Sequence, residues 1–160
     1  MFAEDNIDNR KALGAFAKVK IPKGTIIFEF KGDVINSEDI PKDLKPEDDY
    51  YLQIAPNKYL GPSGWLDDKV NHSCNFNCYV QIVGHRAFLI SLYEILPGHQ
   101  ITFDYSTTST ETPEEWSMKC NCGSYTCRKT ISGYNSLDQT TRENYEKLGI
   151  VPKYVMESVK

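Results

Sequence analysis

Val70-Asn71-His72-Ser73-Cys74-Asn75-Phe76-Asn77-Cys78 sets an amide, an imidazole, a hydroxyl and two thiols close together, the densest chemistry in the chain. Read alone, the stretch admits several roles. His72 and Cys74 stand two apart, which on a strand puts them on one face as a nucleophile and base without an orienting acid. His72 equally suits a zinc ligand or a hydrogen-bonded core histidine. Two later signals bear on the choice: Ile101-Thr102-Phe103-Asp104-Tyr105, and the thiols Cys120, Cys122 and Cys127.

The three thiols fall in a turn-forming segment around Gly123. Structural zinc takes four tetrahedral ligands with sulfur favoured, so the triplet is one short. Sulfur elsewhere is found at Cys74 and Cys78, and either would tie the middle of the chain to its C-terminal part, making metal binding part of folding. Five cysteines, odd in number and absent before Cys74, do not read as the disulfide framework of a secreted fold.

A length of 160 residues fits one domain with its own core. With 40% hydrophobic and 25% charged residues the composition is that of an ordinary globular protein. A net charge of -4 argues against a strongly basic face for nucleic acid and favours basic peptides or small molecules as ligands. Met1-Phe2-Ala3-Glu4-Asp5 lacks the basic and apolar regions of a signal peptide, and no apolar run approaches the roughly 20 residues of a membrane helix. The chain therefore reads as soluble and intracellular, with no direct nucleic-acid partner and no membrane.

Outward from the central stretch, short strands dominate. Residues 13–19 and 25–30 flank the turn Ile21-Pro22-Lys23-Gly24; residues 36–49 form a polar loop with room for one short helix. Residues 50–54 and 58–60 pair across Ala55-Pro56-Asn57, and residues 79–83 and 87–92 across Gly84-His85-Arg86. A further strand spans 100–103, with Ile101, Phe103 and Tyr105 on one face. Helices come late. Thr112-Pro113-Glu114-Glu115 is a capping box that predicts a brief helix through Met118. Residues 136–148 predict a second, with Gln139 in the capping position, Leu137, Thr141, Tyr145 and Leu148 on one stripe, and Gly149 and Pro152 as stops. No glycine-rich turn joins a strand to a helix, which excludes a doubly wound nucleotide fold.

Six motifs in order carry a family resemblance: Leu13-Gly14-Ala15-Phe16-Ala17; residues 28–35; Asn71-His72-Ser73-Cys74; Glu94-Ile95-Leu96-Pro97-Gly98; residues 101–105; and Cys120-Asn121-Cys122-Gly123-Ser124 with Cys127-Arg128. Together they resemble a SET-domain protein-lysine N-methyltransferase with a post-SET zinc segment. The resemblance implies a mostly β SET fold of several small sheets with a pseudoknot-like crossing, where the Asn71 to Cys74 stretch meets Phe103 to Tyr105, and short C-terminal helices. It divides the chain into a SET domain (1–107), a post-SET zinc-binding segment (108–130) and a C-terminal helical extension packing on the domain (131–160).

The activity implied is transfer of a methyl group from S-adenosylmethionine to the ε-amine of a lysine in a protein or peptide, a histone among the candidates. Lys11, Leu13, Tyr51, Asn71, His72 and Asn121 would contact the cofactor; Phe30, Tyr51 and Phe103 would wall the lysine channel; Tyr105 would be catalytic. Cys74, Cys120, Cys122 and Cys127 would hold one structural zinc, leaving Cys78 a free thiol. Phe103 resembles the roomier type that permits di- or trimethylation.

The sequence also departs from the family pattern. Ala12 stands in place of a cofactor-loop glycine, Phe30 in place of a frequent tyrosine, Asp68-Lys69-Val70 in place of Arg-Phe-Ile, and Phe76 in place of a proline. The departures at Ala12 and Phe30 support an alternative reading, a catalytically impaired SET-like module that binds basic peptides.

Overall fold

The computed structural model describes residues 3–5, 14–44 and 50–159. Its strands are β1 (Ala3–Asp5), β2 (Ala15–Ala17), β3 (Ile26–Glu29), β4 (Val34–Asn36), β5 (Leu52–Ala55), β6 (Lys58–Leu60), β7 (Asn71–His72), β8 (Cys78–Val83), β9 (Arg86–Ser91), β10 (Thr102–Phe103), β11 (Ser117–Lys119) and β12 (Thr130–Ser132). Two helices follow, α1 (Gln139–Leu148) and α2 (Lys153–Ser158). None of the described helices is long and apolar enough to cross a membrane.

Branched and aromatic residues in short runs, punctuated by Gly, Pro and Asn, favour strands joined by tight turns over helices. Four antiparallel sheets result among the described residues, β1-β2, β4-β6-β5, β3-β9-β8 and β11-β12. Both anticipated hairpins are present, as β5-β6 and β8-β9. The pairing of β4 onto β6 and of β11 with β12 was not anticipated, because three-residue strands carry too little periodicity to stand out.

A fifth sheet, β7-β10, decides the architecture. It is a parallel pair, with Thr102 opposite Asn71 and Phe103 opposite His72, and it joins segments some thirty residues apart into the expected crossing. Asn77 fastens it: its Nδ2 donates to the Gln100 carbonyl at 2.8 Å, and its Oδ1 accepts from the Thr102 N–H at 3.0 Å. A two-residue ladder has few hydrogen bonds of its own, so these side-chain bonds set its register.

Two apolar clusters hold the strands. The larger gathers Ile21, Ile27, Ile54, Val70, Val80, Leu89, Ile95 and Ile101 with Phe30 and Phe103. Burying each such side chain stabilises the fold by about 1.5–3 kcal/mol. The smaller packs Leu137, Tyr145, Ile150, Val151 and Val155 of the C-terminal segment with Leu92 and Tyr134, and Phe76 and Tyr79 lie against it.

The helix expected from Thr112 to Met118 does not form. The capping box closes a single turn, in which the Thr112 N–H donates to Glu115 Oε2 at 2.8 Å and the Trp116 N–H to the Thr112 carbonyl at 2.9 Å. Ser117 to Lys119 then leave it as β11, because pairing with β12 satisfies their backbone and sets Met118 opposite Ile131.

In α1 the cap is Asp138, not Gln139, which is the first residue of the helix. The Asp138 carboxylate accepts the Thr141 N–H at 2.9 Å and the Thr141 hydroxyl at 2.7 Å, while Ser136 belongs to a preceding 3-10 turn. Leu148 is exposed rather than on the buried stripe, and the chain turns at Gly149, whose φ of 67° a glycine adopts without steric cost. Pro152 does not end helical structure; its carbonyl accepts the first N–H groups of α2.

Candidate active site and metal centre

Two cavities flank the β7-β10 crossing. The first, of about 500 Å³, is lined by Phe30, Tyr51, Phe103 and Tyr105 with Leu52, Tyr59, Val70, Trp116 and Met118. Its rings come from Phe30 just after β3, Tyr51 just before β5, Tyr59 on β6 and Phe103 on β10. Phe30 meets Phe103 edge-on at 6.1 Å between ring centres, and Phe103 meets Tyr105 at 4.9 Å. Trp116 brings a buried indole N–H that has no partner among the described residues.

The second cavity, of about 550 Å³, is lined by Asn71, His72, Asn77, Gln100, Thr102, Cys120, Asn121 and Cys122 among others. It is polar where the first is aromatic. Asn71, Tyr105 and Met118 border both. Gly14 lies against this wall: a Cβ there would stand 2.4 Å from Gln100 Nε2 and 3.0 Å from Asn71 Nδ2, so glycine is what lets the chain pass close to the two amides.

The expected channel residues Phe30, Tyr51 and Phe103 thus converge on the first cavity, and Asn71, His72 and Asn121 on the second. Tyr51, expected to serve both, lines the first alone. Lys11 and Leu13 lie outside the described residues, as does Ala12.

Tyr105 sits on the partition. Its hydroxyl donates to the Val70 carbonyl at 2.7 Å and its N–H to His72 Nδ1 at 3.2 Å. With Nδ1 accepting that bond, the proton of a neutral imidazole belongs on Nε2, which points at Cys74 Sγ 3.3 Å away. Burial brings the His72 pKa down to about 4, against the pull of Asp104 and with Arg128 adding to the fall, so the ring is neutral at pH 7. Its two nitrogens are occupied by the tyrosine segment and the thiol, and its ring forms part of the cavity wall.

The Sγ atoms of Cys74, Cys120, Cys122 and Cys127 all lie within 4.8 Å of one another. Four sulfurs ~2.3 Å from one zinc stand about 3.8 Å apart; Cys74 and Cys120 are 3.8 Å apart. The donor set and its spacing fit a structural zinc ion. The thiols divide their charge unevenly. Burial pushes Cys120 up to about 12; burial also opposes the Cys122 thiolate, but the N–H groups of Cys74 and Ser124 together with the Cys120 and Cys127 thiols bring it down to about 6. A dication resolves this by stabilising all four as thiolates. Cys78 stands apart on β8, fully buried, its thiol pushed up to about 12 by burial. The fourth thiol of the cluster is therefore Cys74.

Sequence reasoning passed over Asp104, whose buried carboxylate takes both terminal nitrogens of Arg128 at 2.7 Å and the Tyr145 hydroxyl at 2.8 Å. Alternation along 101–105 pointed its side chain away from the Tyr105 face, and nothing local marked where it went. Trp116 and Met118 were also missed as cavity walls, being assigned to a helix.

An architecture of small sheets around a parallel crossing, with a four-thiol clasp beside it, defines a SET-type fold, and comparison with known proteins agrees. The SET domain family model matches residues 12–106. The chain belongs to the SET-domain family. A histone-lysine N-methyltransferase, H3 lysine-36 specific, of Cryptococcus neoformans is 28% identical over 158 residues, covering 90% of this chain and 19% of its own length. Histone-lysine N-methyltransferase trithorax of Drosophila virilis is 30% identical over 130 residues, covering 74% of this chain and 3% of its own. The chain thus spans a fifth or less of these relatives. Among solved structures, KRYPTONITE in complex with mCHG DNA and SAH superposes with a TM-score of 0.64 at 23% identity, covering 81% of this chain and 29% of that one. A second KRYPTONITE structure, with mCHH DNA, H3(1-15) peptide and SAH, gives 0.63 at 22%.

Proposed function

We propose that the chain is a protein-lysine N-methyltransferase that uses S-adenosylmethionine. One observation carries this reading: an aromatic cavity and a polar cavity, each large enough for a small ligand, share a wall at Asn71 and Tyr105. Bound S-adenosylmethionine supplies an electrophilic methyl group on sulfur. The polar side suits its charged and hydrogen-bonding groups; in this reading Asn71, His72 and Asn121 hold it, with Lys11 and Leu13. The aromatic side, walled by Phe30, Tyr51 and Phe103, receives the lysine.

A lysine near its ordinary pKa of about 10.4 is protonated at pH 7 and has no lone pair to attack with. Rings around the ammonium remove water from it, which favours the neutral amine. What remains is alignment of nitrogen and methyl, for which a narrow, preformed channel is suited. Tyr105 commits its proton to Val70, so the phenol oxygen offers lone pairs toward the partition where the methyl passes. Residues 1–107 are then the catalytic domain, 108–130 the zinc clasp and 131–160 an extension packed against both.

The names of the relatives make a histone tail the first substrate to test, and a net charge of -4 suits a basic peptide better than nucleic acid. The test uses labelled S-adenosylmethionine with histones and with whole-cell protein extract, beside calorimetry of cofactor binding. Labelled lysine in one protein is the expected result. Absence of both label and cofactor binding overturns the reading in favour of a peptide-binding module.

A further inference from the structure

Asp104 immediately precedes Tyr105, its side chain is 0% exposed, and donors from three parts of the chain converge on its two oxygens. Arg128 grips it with both terminal nitrogens at 2.7 Å; the Tyr145 hydroxyl donates to Oδ2 at 2.8 Å, and the Ser106 N–H to Oδ1 at 3.1 Å. His72 Nδ1 lies 3.4 Å from Oδ1. Arg128 comes from the clasp: it follows Cys127, its own N–H donates to Cys74 Sγ at 3.4 Å, and it also reaches the Ser106 hydroxyl at 3.2 Å. Tyr145 comes from α1, where its ring packs edge-on against Phe76. Asp104, Arg128 and Tyr145 border neither cavity.

A buried ion pair is a poor source of stability, since apolar residues of the same shape often serve as well or better. Its worth lies in orientation. Asp104 caps the 3-10 turn Tyr105–Thr107 through the Ser106 N–H, and its carbonyl accepts the Thr107 N–H at 3.0 Å. Tyr105 is the first residue of that turn, so its direction follows that of the cap. The Arg128 fork fixes the plane of the carboxylate, and the Tyr145 hydroxyl fixes its tilt.

We propose that Arg128 and Tyr145 are positioning residues for Tyr105, acting through Asp104, so that the clasp and the C-terminal helix both set where the phenol oxygen stands. The proposal rests on the methyltransferase reading for its catalytic consequence. Displacement of a reacting group by about 1 Å costs on the order of 100-fold in rate, and loss of one of several restraints costs less.

The test uses the zinc-loaded full chain and three variants. Tyr145→Phe keeps the ring on Phe76 and removes only the hydroxyl. Arg128→Lys keeps the charge and removes the fork. Tyr134→Phe is the control: Tyr134 is buried in the same C-terminal cluster, but its hydroxyl donates to the Arg142 carbonyl and Glu146 and does not touch Asp104. Tyr145→Phe and Arg128→Lys are expected to lower kcat about tenfold with peptide KM, cofactor Kd and zinc content unchanged, and to speed hydrogen exchange at the amides of residues 105–107. Tyr134→Phe is expected to lower Tm and leave kcat and those amides as they were. Wild-type kcat or wild-type exchange in Tyr145→Phe overturns the proposal, and so does an equal kcat loss in Tyr134→Phe. Exchange needs no turnover: a wild-type chain that transfers no methyl counts against the methyltransferase reading, and the exchange rates then decide the positioning.

Discussion

The two cavities are built by opposite means. The aromatic one is walled by side chains whose backbones belong to the main core, where Phe30, Leu60, Val70 and Phe103 are themselves core residues. The polar one is walled by the amides of Asn75, Asn77 and Gln100, by the crossing, and by Asn121 and two cysteines of the clasp. One side is therefore built largely from the hydrophobic core, with Trp116 and Met118 added from the 108–130 segment, and the other leans on the four-thiol cluster. In the methyltransferase reading, the lysine side rests mainly on the core and the cofactor side on the thiol cluster that would hold zinc.

Removing the metal attacks this difference most directly. Binding of structural zinc is worth about 10–16 kcal/mol in small domains, more than the Arg128–Asp104 pair and the β11-β12 ladder that also hold the clasp. Chelation, or Cys127→Ser, is expected to abolish S-adenosylmethionine binding measured by calorimetry, with zinc dropping from about one per chain. Amides of β8 and β9 should keep their protection from hydrogen exchange. Their loss together with the clasp would show that the two sides fold as one unit.

Tyr105→Phe addresses the shared wall. It should lower kcat about 100-fold or more, while calorimetry finds cofactor binding little changed because the ring stays in place. A variant with full activity would remove Tyr105 from the chemistry and leave only its role as a partition.

The mildest probe is pH. His72 titrates near 6.5 when exposed and near 4 in the fold, where burial opposes its charge. The unfolded chain therefore takes up a proton that the folded chain does not. Stability from this source is complete above about pH 6.5 and declines as pH falls toward 4, by as much as about 3 kcal/mol. His72→Gln should flatten that part of a Tm-against-pH curve; an unchanged slope would take His72 out of the acid sensitivity.

Much of the site was readable because its residues are chemically conspicuous. Three closely spaced thiols demand a fourth ligand, and Asn71-His72 with Phe103-Asp104-Tyr105 match a known order of motifs. The hairpins were readable for a different reason: Ala55-Pro56-Asn57 and Gly84-His85 are turn signals between strand-forming runs, a local property. Residues 112–118 misled because a capping box is a local signal too. One turn satisfied it, and pairing of Met118 with Ile131 took the rest. In α1 the expected cap was Gln139; the neighbouring carboxylate of Asp138 is the better acceptor and takes that place.

By itself the sequence determined which chemistries this protein carries and in what order along the chain. It established the cluster of thiols, the aromatic residues near the crossing, and the tyrosine at the end of the 101–105 run. Only the tertiary structure decided that Tyr51 faces one cavity and not both, and that the Asp104 carboxylate gathers Arg128 and Tyr145. The physical reason is register. In extended chain neighbouring side chains point to opposite faces, so a slip of one residue in the two-residue β7-β10 ladder would exchange every group between core, cavity and clasp. That register is set by bonds such as those of Asn77, between residues far apart in sequence, which no local pattern encodes.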